Sequence, residues 1–143
     1  MIGPQYDGDS PFAARMRFHQ SWYRDRILGV PHGSGPRPES ATLYGNMLTQ
    51  GDGDRGLNFL TPKIFGVARE RMSQVTGMTE PFRLLCNMLS SQPMCFNLFA
   101  PLRLDTKLAT NLIRAAPPTW LSETIKTVSE VRVEYALSRK ANT

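Results

Sequence analysis

The chain has 143 residues, 41% of them apolar, and a formal net charge of +5. This length suits one domain of ordinary size, and the apolar share supports a modest core. No stretch approaches the roughly 20 apolar residues of a membrane helix, and the start lacks the pattern of a secretory signal. Two cysteines, expected to be reduced, suit a cytoplasmic protein. The positive charge permits contact with nucleic acid or acidic partners, although a solvated basic surface would give the same total.

The first predicted element is a helix from Pro11 to Leu28. It follows residues 1–10, a polar and glycine-containing segment that we expect to be loose. Ser10 suits the N-cap, and Gly29 suits a left-handed end. Helical spacing predicts one buried apolar face, made of Phe12, Met16, His19, Tyr23 and Ile27.

This helix is also a candidate for nucleic-acid binding. It carries four arginines, Arg15, Arg17, Arg24 and Arg26, beside the aromatic residues Phe18, Trp22 and Tyr23. Such a surface can hold phosphates and stack on unpaired bases. The alternative is that the aromatic rings lie in the core while the arginines extend into solvent. The sequence alone favours that alternative.

Turn-forming composition dominates the next part of the chain. Residues 29–41 contain three prolines and three glycines, which predicts a loop. A short apolar patch, LYGNML, follows at residues 43–48, and the turn-rich segment GDGDRG occupies residues 51–56. Helical spacing then returns, and it predicts a second helix from Pro62 to about Val75.

A third helix is predicted from Pro81 to Gln92, apolar on most sides. Its polar residues Arg83, Asn87, Ser90 and Ser91 recur at helical spacing, so they would form one stripe. Such groups need hydrogen-bond partners when buried, and either a structural network or a polar cleft would supply them. We expect Pro93 to bend or end this helix and Pro101 to end the segment after it.

The C-terminal part predicts one more helix and one strand. Asp105 suits the N-cap of a fourth helix over residues 106–115. From Thr127 to Leu137 the residues alternate between apolar and polar, which is typical of a half-buried strand. A strand needs a neighbour, so either residues 43–48 pair with it or its partner strands lie outside this chain. The expected fold is α+β and mainly helical, with about four helices and one C-terminal strand in a single, partial domain spanning residues 1–143.

No complete catalytic constellation is present in the sequence. The two histidines, His19 and His32, lack the spacing of a zinc site. The string Asp105-Thr106-Lys107 matches the carboxylate-x-lysine element of metal-dependent nucleases, but it lies at a predicted helix start, where a carboxylate caps backbone N–H groups. We therefore assign no catalytic residue and no metal ligand to this chain.

The segment RLLCNMLSSQPMCFNLFAPLRLD, residues 83–105, carries a resemblance. It is similar to the signature of a bacterial family of restriction-endonuclease-like proteins in the PD-(D/E)XK nuclease superfamily. The flanking segments agree, namely RFHQSWYRDRILG (17–29), GLNFLTPKIFGVARERM (56–72) and VRVEYALSR (131–139). The polar residues of the signature are Arg83, Asn87, Ser90, Ser91, Gln92 and Asn97.

The resemblance implies an α/β core that cuts DNA with Mg²⁺, held by an Asp and by the Glu of an E-x-K string on adjacent strands. In such a family those residues would follow the segment matching 131–139, and the chain contains no E-x-K triplet. The resemblance therefore implies an N-terminal portion with an incomplete core, inactive alone, with Mg²⁺ needed only by a complete member. The alternative is a standalone basic helical module that binds nucleic acid, or that pairs with itself or a partner chain through its last strand.

Overall fold

The computed structural model describes residues 1–74, 80–116, 118 and 120–133, and within them the fold is α+β and mainly helical. The helices are α1 (Pro11–Tyr23), which continues as a π-helical segment (Arg24–Leu28), α2 (Gln50–Asp54), α3 (Pro62–Gln74), α4 (Pro81–Cys86), α5 (Ser91–Leu104), α6 (Thr106–Ala115) and α7 (Trp120–Thr124). The strands are β1 (His32–Ser34) and β2 (Leu43–Leu48). The described part thus has seven α-helices where the sequence predicted about four. None of its helices is long and apolar enough to span a membrane.

The ends of the first helix are as predicted. The Ser10 hydroxyl accepts a hydrogen bond from the amide of Ala13 at 3.3 Å, and Gly29 ends the π-helical segment with a φ of 66°. The predicted apolar face is wrong, because Phe12 is 72% exposed and Ile27 is 56% exposed. The side chains that α1 and its π-helical segment bury completely are Ser21 and Arg24. They face backbone carbonyl groups, and a buried carbonyl needs a hydrogen-bond donor.

The two strands form a small antiparallel sheet beside α1. His32 lies opposite Leu48 and Ser34 opposite Leu43, with an irregularity between the two pairs. Strand β1 therefore lies inside the segment predicted as a loop. A Cβ added at Gly33 would overlap the backbone of Leu48, so only glycine allows this close pairing.

The N-terminal segment packs against β2 and α1, where the sequence predicted a loose start. The amide of Gly45 donates a 2.7 Å hydrogen bond to the carbonyl of Pro4. A side chain at Gly45 would meet the Ser21 hydroxyl at 2.6 Å and the backbone of Ile2 closer still. Glycine at this position lets the strand, the helix and the N-terminal segment meet.

Residues 51–56 also differ from the prediction, because most of them form the short helix α2. Its N-cap is Thr49, whose hydroxyl accepts a hydrogen bond from the amide of Asp52 at 3.2 Å and donates one to the Asp52 carboxylate at 2.6 Å. The turn signal of the glycines and aspartates thus marks a helix start. The second predicted helix is correct, since α3 begins at Pro62 and its described part extends to Gln74.

The predicted third helix is two helices. Chain direction changes at Asn87, whose extended backbone makes an isolated antiparallel bridge with Met47 of β2. The next helix, α5, begins at Ser91 after Ser90, whose hydroxyl accepts a hydrogen bond from the amide of Gln92 at 3.2 Å. Pro93 thus lies in the first turn of α5, where its missing N–H is not needed, and Pro101 lies inside α5 without ending it.

The core lies between β2 and helices α3, α4 and α5. Its buried apolar residues are Met47, Leu48, Phe59, Ile64, Val67, Ala68, Phe82, Leu84, Leu85, Cys86, Phe96, Ala100 and Val133. Burial raises the pKa of the Cys86 thiol to about 11, and neither Cys86 nor Cys95 forms a disulfide, as predicted. Helix α6 also agrees with the prediction, because the Asp105 carboxylate accepts hydrogen bonds from the amides of Lys107 and Leu108 at 2.9 and 3.0 Å.

The predicted C-terminal strand is wrong over residues 127–133, which the structure describes without a strand. Val133 is nevertheless buried, with 3% of its surface exposed. The remaining residues of that prediction, 134–137, lie outside the described part. Residues 43–48 do form a strand, but it pairs with β1 and not with residues 127–133.

Candidate functional site

The four arginines of the first helix have different environments. Arg24 is buried, with 1% of its surface exposed. Its guanidinium donates hydrogen bonds to four backbone carbonyl groups, those of Met1, Ile2, Val30 and Gly45. Burial lowers the pKa of this guanidinium below its ordinary value. All five donors of a guanidinium point in fixed directions, so Arg24 fastens the N-terminal segment, β2 and the loop after α1 together. It does not reach solvent and cannot contact a phosphate.

Arg17 is also engaged inside the protein. Its Nε and Nη2 donate to both carboxylate oxygens of Asp9 at 2.6 and 3.1 Å, and its Nη1 donates to Oδ1 of Asn46 at 2.6 Å. The guanidinium carbon lies 5.8 Å from the ring centre of Tyr6 and 5.2 Å from that of Tyr44. The hydrogen bond from Arg17 holds the pKa of Asp9 below its usual value.

Arg15 and Arg26 lie on the solvent side of the same helix. Arg26 is 66% exposed, and its Nε lies 3.3 Å from the carboxylate of Asp25. The aromatic residues beside them are exposed too, with Phe18 at 51% and Trp22 at 40%. The interpretation that placed Phe18 and Trp22 in the core is therefore wrong. Solvent reaches a surface that combines aromatic rings with positive charge.

Two of the polar residues of segment 83–105 belong to a network of asparagines. Oδ1 of Asn87 accepts hydrogen bonds from Nδ2 of Asn46 at 3.1 Å and from the amide of Leu89 at 3.0 Å. Nδ2 of Asn58 donates to the carbonyl of Asn87 at 3.3 Å, and Nδ2 of Asn97 donates to the carbonyl of Asn58 at 3.0 Å. Together with Arg17, these side chains connect the N-terminal segment to α5.

The other polar residues of this segment have different surroundings. Arg83 is exposed on α4, Ser91 is exposed at the start of α5 and Gln92 is half-buried. Ser90 is buried as the N-cap of α5. The four residues predicted to form one stripe do not share a helix face, because the helix ends before Asn87. Asn87 and Asn97 thus belong to a structural network, and the predicted single polar stripe is wrong.

A cleft of about 220 Å³ opens above this network. It is lined by Tyr6, Arg17, Pro36, Tyr44, Asn46, Met47, Asn87 and Leu89. The lining offers amide and guanidinium groups and the phenols of Tyr6 and Tyr44, and its described residues include no carboxylate, histidine or thiol. The cleft can therefore bind or hold polar groups, and among its described lining side chains the tyrosines can exchange a proton.

Metal-binding chemistry is not assembled in the part of the chain that the structure describes. There, no three His, Cys, Asp or Glu side chains come close enough to hold a metal ion together. The carboxylate of Asp105 is occupied by the two amides at the start of α6, as the sequence predicted.

Sequence reasoning missed the partners that organise the network, above all Asn46 and Asn58. Asn46 is 1% exposed and Asn58 is 8% exposed. The available signal was an asparagine inside an apolar run, since a buried amide must find hydrogen-bond partners. The run LYGNML contains such a residue at position 46.

Comparison with known proteins gives a family match. A family model described as the PD-(D/E)XK nuclease superfamily matches residues 7–143, a range that contains every helix and strand described above. No curated protein and no solved structure matches the chain.

Proposed function

Because the chain belongs to the PD-(D/E)XK nuclease superfamily, we propose that it supplies the scaffold of a DNA-cutting enzyme without its metal-holding acids. The acids would come from the strands that follow in a complete family member or from a partner chain. On this proposal the chain is the N-terminal portion of the catalytic unit and is inactive by itself. Its two cysteines, which form no disulfide, support the expected cytoplasmic location.

The geometry of Asp105 carries this proposal. Asp105 and Lys107 form the only carboxylate-x-lysine string in the sequence, which has no E-x-K triplet. A metal-dependent nuclease needs such a carboxylate free to hold Mg²⁺ beside the reacting phosphate. Here one carboxylate oxygen accepts two backbone amides, and the residue begins a helix.

The described residues do not fit a Mg²⁺ site. Mg²⁺ is held by carboxylates in an octahedral arrangement, usually with several waters. Three of the aspartates that lie near other charged groups are each engaged by a cation, Asp9 by Arg17, Asp25 by the N-terminal amino group and Asp52 by Arg55. These carboxylates stabilise the fold, so we assign no catalytic step to them.

The asparagine network supports the role of a scaffold. Its hydrogen bonds connect β2 with the end of α4 and the middle of α5. Directional bonds between buried amides fix how these elements are rotated against each other. A platform of fixed geometry is what a separate catalytic segment requires, because catalytic groups tolerate little displacement.

Cleavage of supercoiled plasmid in the presence of Mg²⁺ tests the proposal. We expect no cleavage by the purified chain. The matched variants are Asp105→Asn, which keeps the helix cap and weakens metal binding, and Asp105→Ala, which removes both. Cleavage by the wild type that disappears equally in both variants would overturn the proposal.

One observation favours the alternative of a nucleic-acid-binding module, namely the exposed aromatic and basic side of α1. This surface is compatible with the scaffold role. Pairing through the last strand has no such support, because residues 127–133 are described without a strand. It stays a prediction, which light scattering on the wild type and on Val133→Pro would test.

A further inference from the structure

The solvent side of α1 and of its π-helical segment presents a surface that we call the aromatic–basic face. It consists of Phe12, Arg15, Phe18, Trp22 and Arg26. We propose that this face binds unpaired nucleic acid, with bases stacked on the rings and phosphates held by the two arginines. The choice of nucleic acid as the occupant rests on the proposed function, whereas the location and the preference for unpaired strands rest on the face itself.

Helical spacing places these residues together. Positions 15, 18, 22 and 26 follow one another at intervals of three or four, which brings side chains to one side of a helix. At about 1.5 Å per residue, Arg15 and Arg26 lie about 16 Å apart along the axis, with Phe18 and Trp22 between them. The face thus places two adjacent rings between two charges along a line, so bases can stack between two held phosphates.

Polar contacts on the opposite side of α1 keep these rings exposed to solvent. Ser21 and Arg24 are completely buried there, and Arg17 is bonded to Asp9 and Asn46. Rotating the helix to bury Phe18 or Trp22 would break the hydrogen bonds of Arg24 to four carbonyls. The exposure of the rings is therefore fixed by the polar contacts, and it does not reflect loose packing.

The charge on this face is positive. Asp25 is the only acid between residues 11 and 28, and its carboxylate is 12% exposed and bound by the N-terminal amino group. Arg26 lies beside it with most of its surface in solvent. Phosphates meet two arginines here, without a free carboxylate on the helix to repel them.

The exposed rings should bind unpaired strands more tightly than duplex. Bases in a duplex are stacked on one another and present only their edges, whereas unpaired bases offer a face to an aromatic side chain. Phe12 is 72% exposed, Phe18 51% and Trp22 40%, so each ring has surface available for a base. We therefore expect tighter binding to a single strand than to a duplex of the same length.

Tryptophan fluorescence tests this directly, because the chain has two tryptophans, Trp22 and Trp120. In Trp120→Phe the emission comes from Trp22 alone, and we expect oligo(dT) to quench it. In the matched variant Trp22→Phe the emission comes from Trp120, which is 58% exposed outside the face, and we expect no change. EDTA is present throughout, so that binding is measured without cleavage.

Substitutions on the face should weaken binding to labelled oligo(dT). Phe18→Ala or Trp22→Ala should weaken it by about 5- to 150-fold, the range for loss of one stacked base, whereas Trp120→Ala should not. Arg15→Gln or Arg26→Gln should each flatten the dependence of log affinity on log salt by about 0.7. Arg114→Gln, a change at an exposed arginine of α6, should leave that slope unchanged.

Several results would overturn the inference. They are unquenched Trp22, equal affinity of duplex and single strand, or face variants that bind like the wild type. Binding to anionic lipid vesicles in place of oligo(dT), or a dimer that Phe18→Ala dissociates, would assign the face to a different occupant. The plasmid assay is independent. Unquenched Trp22 without plasmid cleavage refutes only the face, whereas cleavage that requires Asp105, with Trp22 quenched, refutes only the scaffold proposal.

Discussion

Two regions of the molecule are held together by different interactions. Residues 1–48, with α1 and the small sheet, are joined by charged and amide side chains, chiefly Arg17, Arg24 and Asn46. The helical region from α3 to α5 is joined by apolar contacts, such as the stacked rings of Phe59 and Phe65 at 5.3 Å. Asn87, between α4 and α5, lies where the two regions meet.

The difference shows how burial relates to residue type. In the helical region burial follows hydrophobicity, so Phe96 and Leu84 are inside. On α1 and its π-helical segment burial follows the supply of hydrogen bonds, so Arg24 is inside and Phe18 is outside, whereas Met47 and Leu48 of β2 belong to the apolar core. Removing a side chain should therefore cost packing in one region and unsatisfied backbone groups in the other.

The largest effect should come from the apolar region. Phe96 is completely buried, with its ring centre 6.5 Å from that of Phe59. Phe96→Ala should lower the free energy of unfolding by about 4 kcal/mol, because it removes contacts and leaves a cavity. Phe99→Ala, in the same helix but 46% exposed, should cost about 1 kcal/mol. Urea unfolding measures both, and similar losses would show that α5 is not packed as described.

The matching test in the first region is Arg24→Met. It keeps most of the volume but removes the donors to four carbonyls, so we expect a loss of about 3 kcal/mol. The control is Arg26→Met, which should change stability by less than about 0.5 kcal/mol at an exposed site. Equal unfolding midpoints of Arg24→Met and Arg26→Met in urea would show that the hydrogen bonds of Arg24 do not stabilise this region.

The junction between the regions should be of intermediate sensitivity. Asn87→Ala leaves the amide groups of Asn46 and Leu89 without their acceptor, at a cost of about 2 kcal/mol. Asn111→Ala, at an exposed position of α6, should leave stability within about 0.5 kcal/mol of wild type. Equal losses of unfolding free energy in Asn87→Ala and Asn111→Ala would show that the network does not stabilise the junction.

The smallest expected effect is on how the stability changes at low pH. The hydrogen bond from Arg17 lowers the pKa of Asp9, so the carboxylate contributes stability above its unfolded pKa of about 3.9 and loses this as the pH falls through the folded value. The difference in stability between wild type and Asp9→Asn should therefore shrink as the pH falls below about 4. Urea unfolding across this range, with Asp7→Asn as the exposed control, measures it. A difference that stays constant with pH would contradict the ion pair.

Local signals predicted many element ends correctly. Ser10, Gly29, Pro62 and Asp105 each mark a helix end where the sequence placed it. These signals depend on one residue and its neighbours, so tertiary contacts do not alter them. The superfamily was likewise predicted from segment 83–105 and is confirmed by the family match.

Features that depend on distant residues could not be predicted in this way. The chain leaves α4 at Asn87 because its backbone bridges Met47, 40 positions earlier in the sequence. The face of α1 that turns inward depends on carbonyls of the N-terminal segment, β2 and the loop at Val30. Periodicity records hydrophobicity only, so it assigned the aromatic side of α1 to the core. The serine at position 90, followed closely by Pro93, was a usable signal for the start of α5.

Direct titration with Mg²⁺ by isothermal calorimetry tests the central claim, that this chain is a nuclease scaffold without its own metal site. The account predicts no saturable binding by the wild type, and heats equal to those of Asp105→Asn. Saturable binding of one or two ions per chain, abolished by Asp105→Asn while stability is kept, would contradict it.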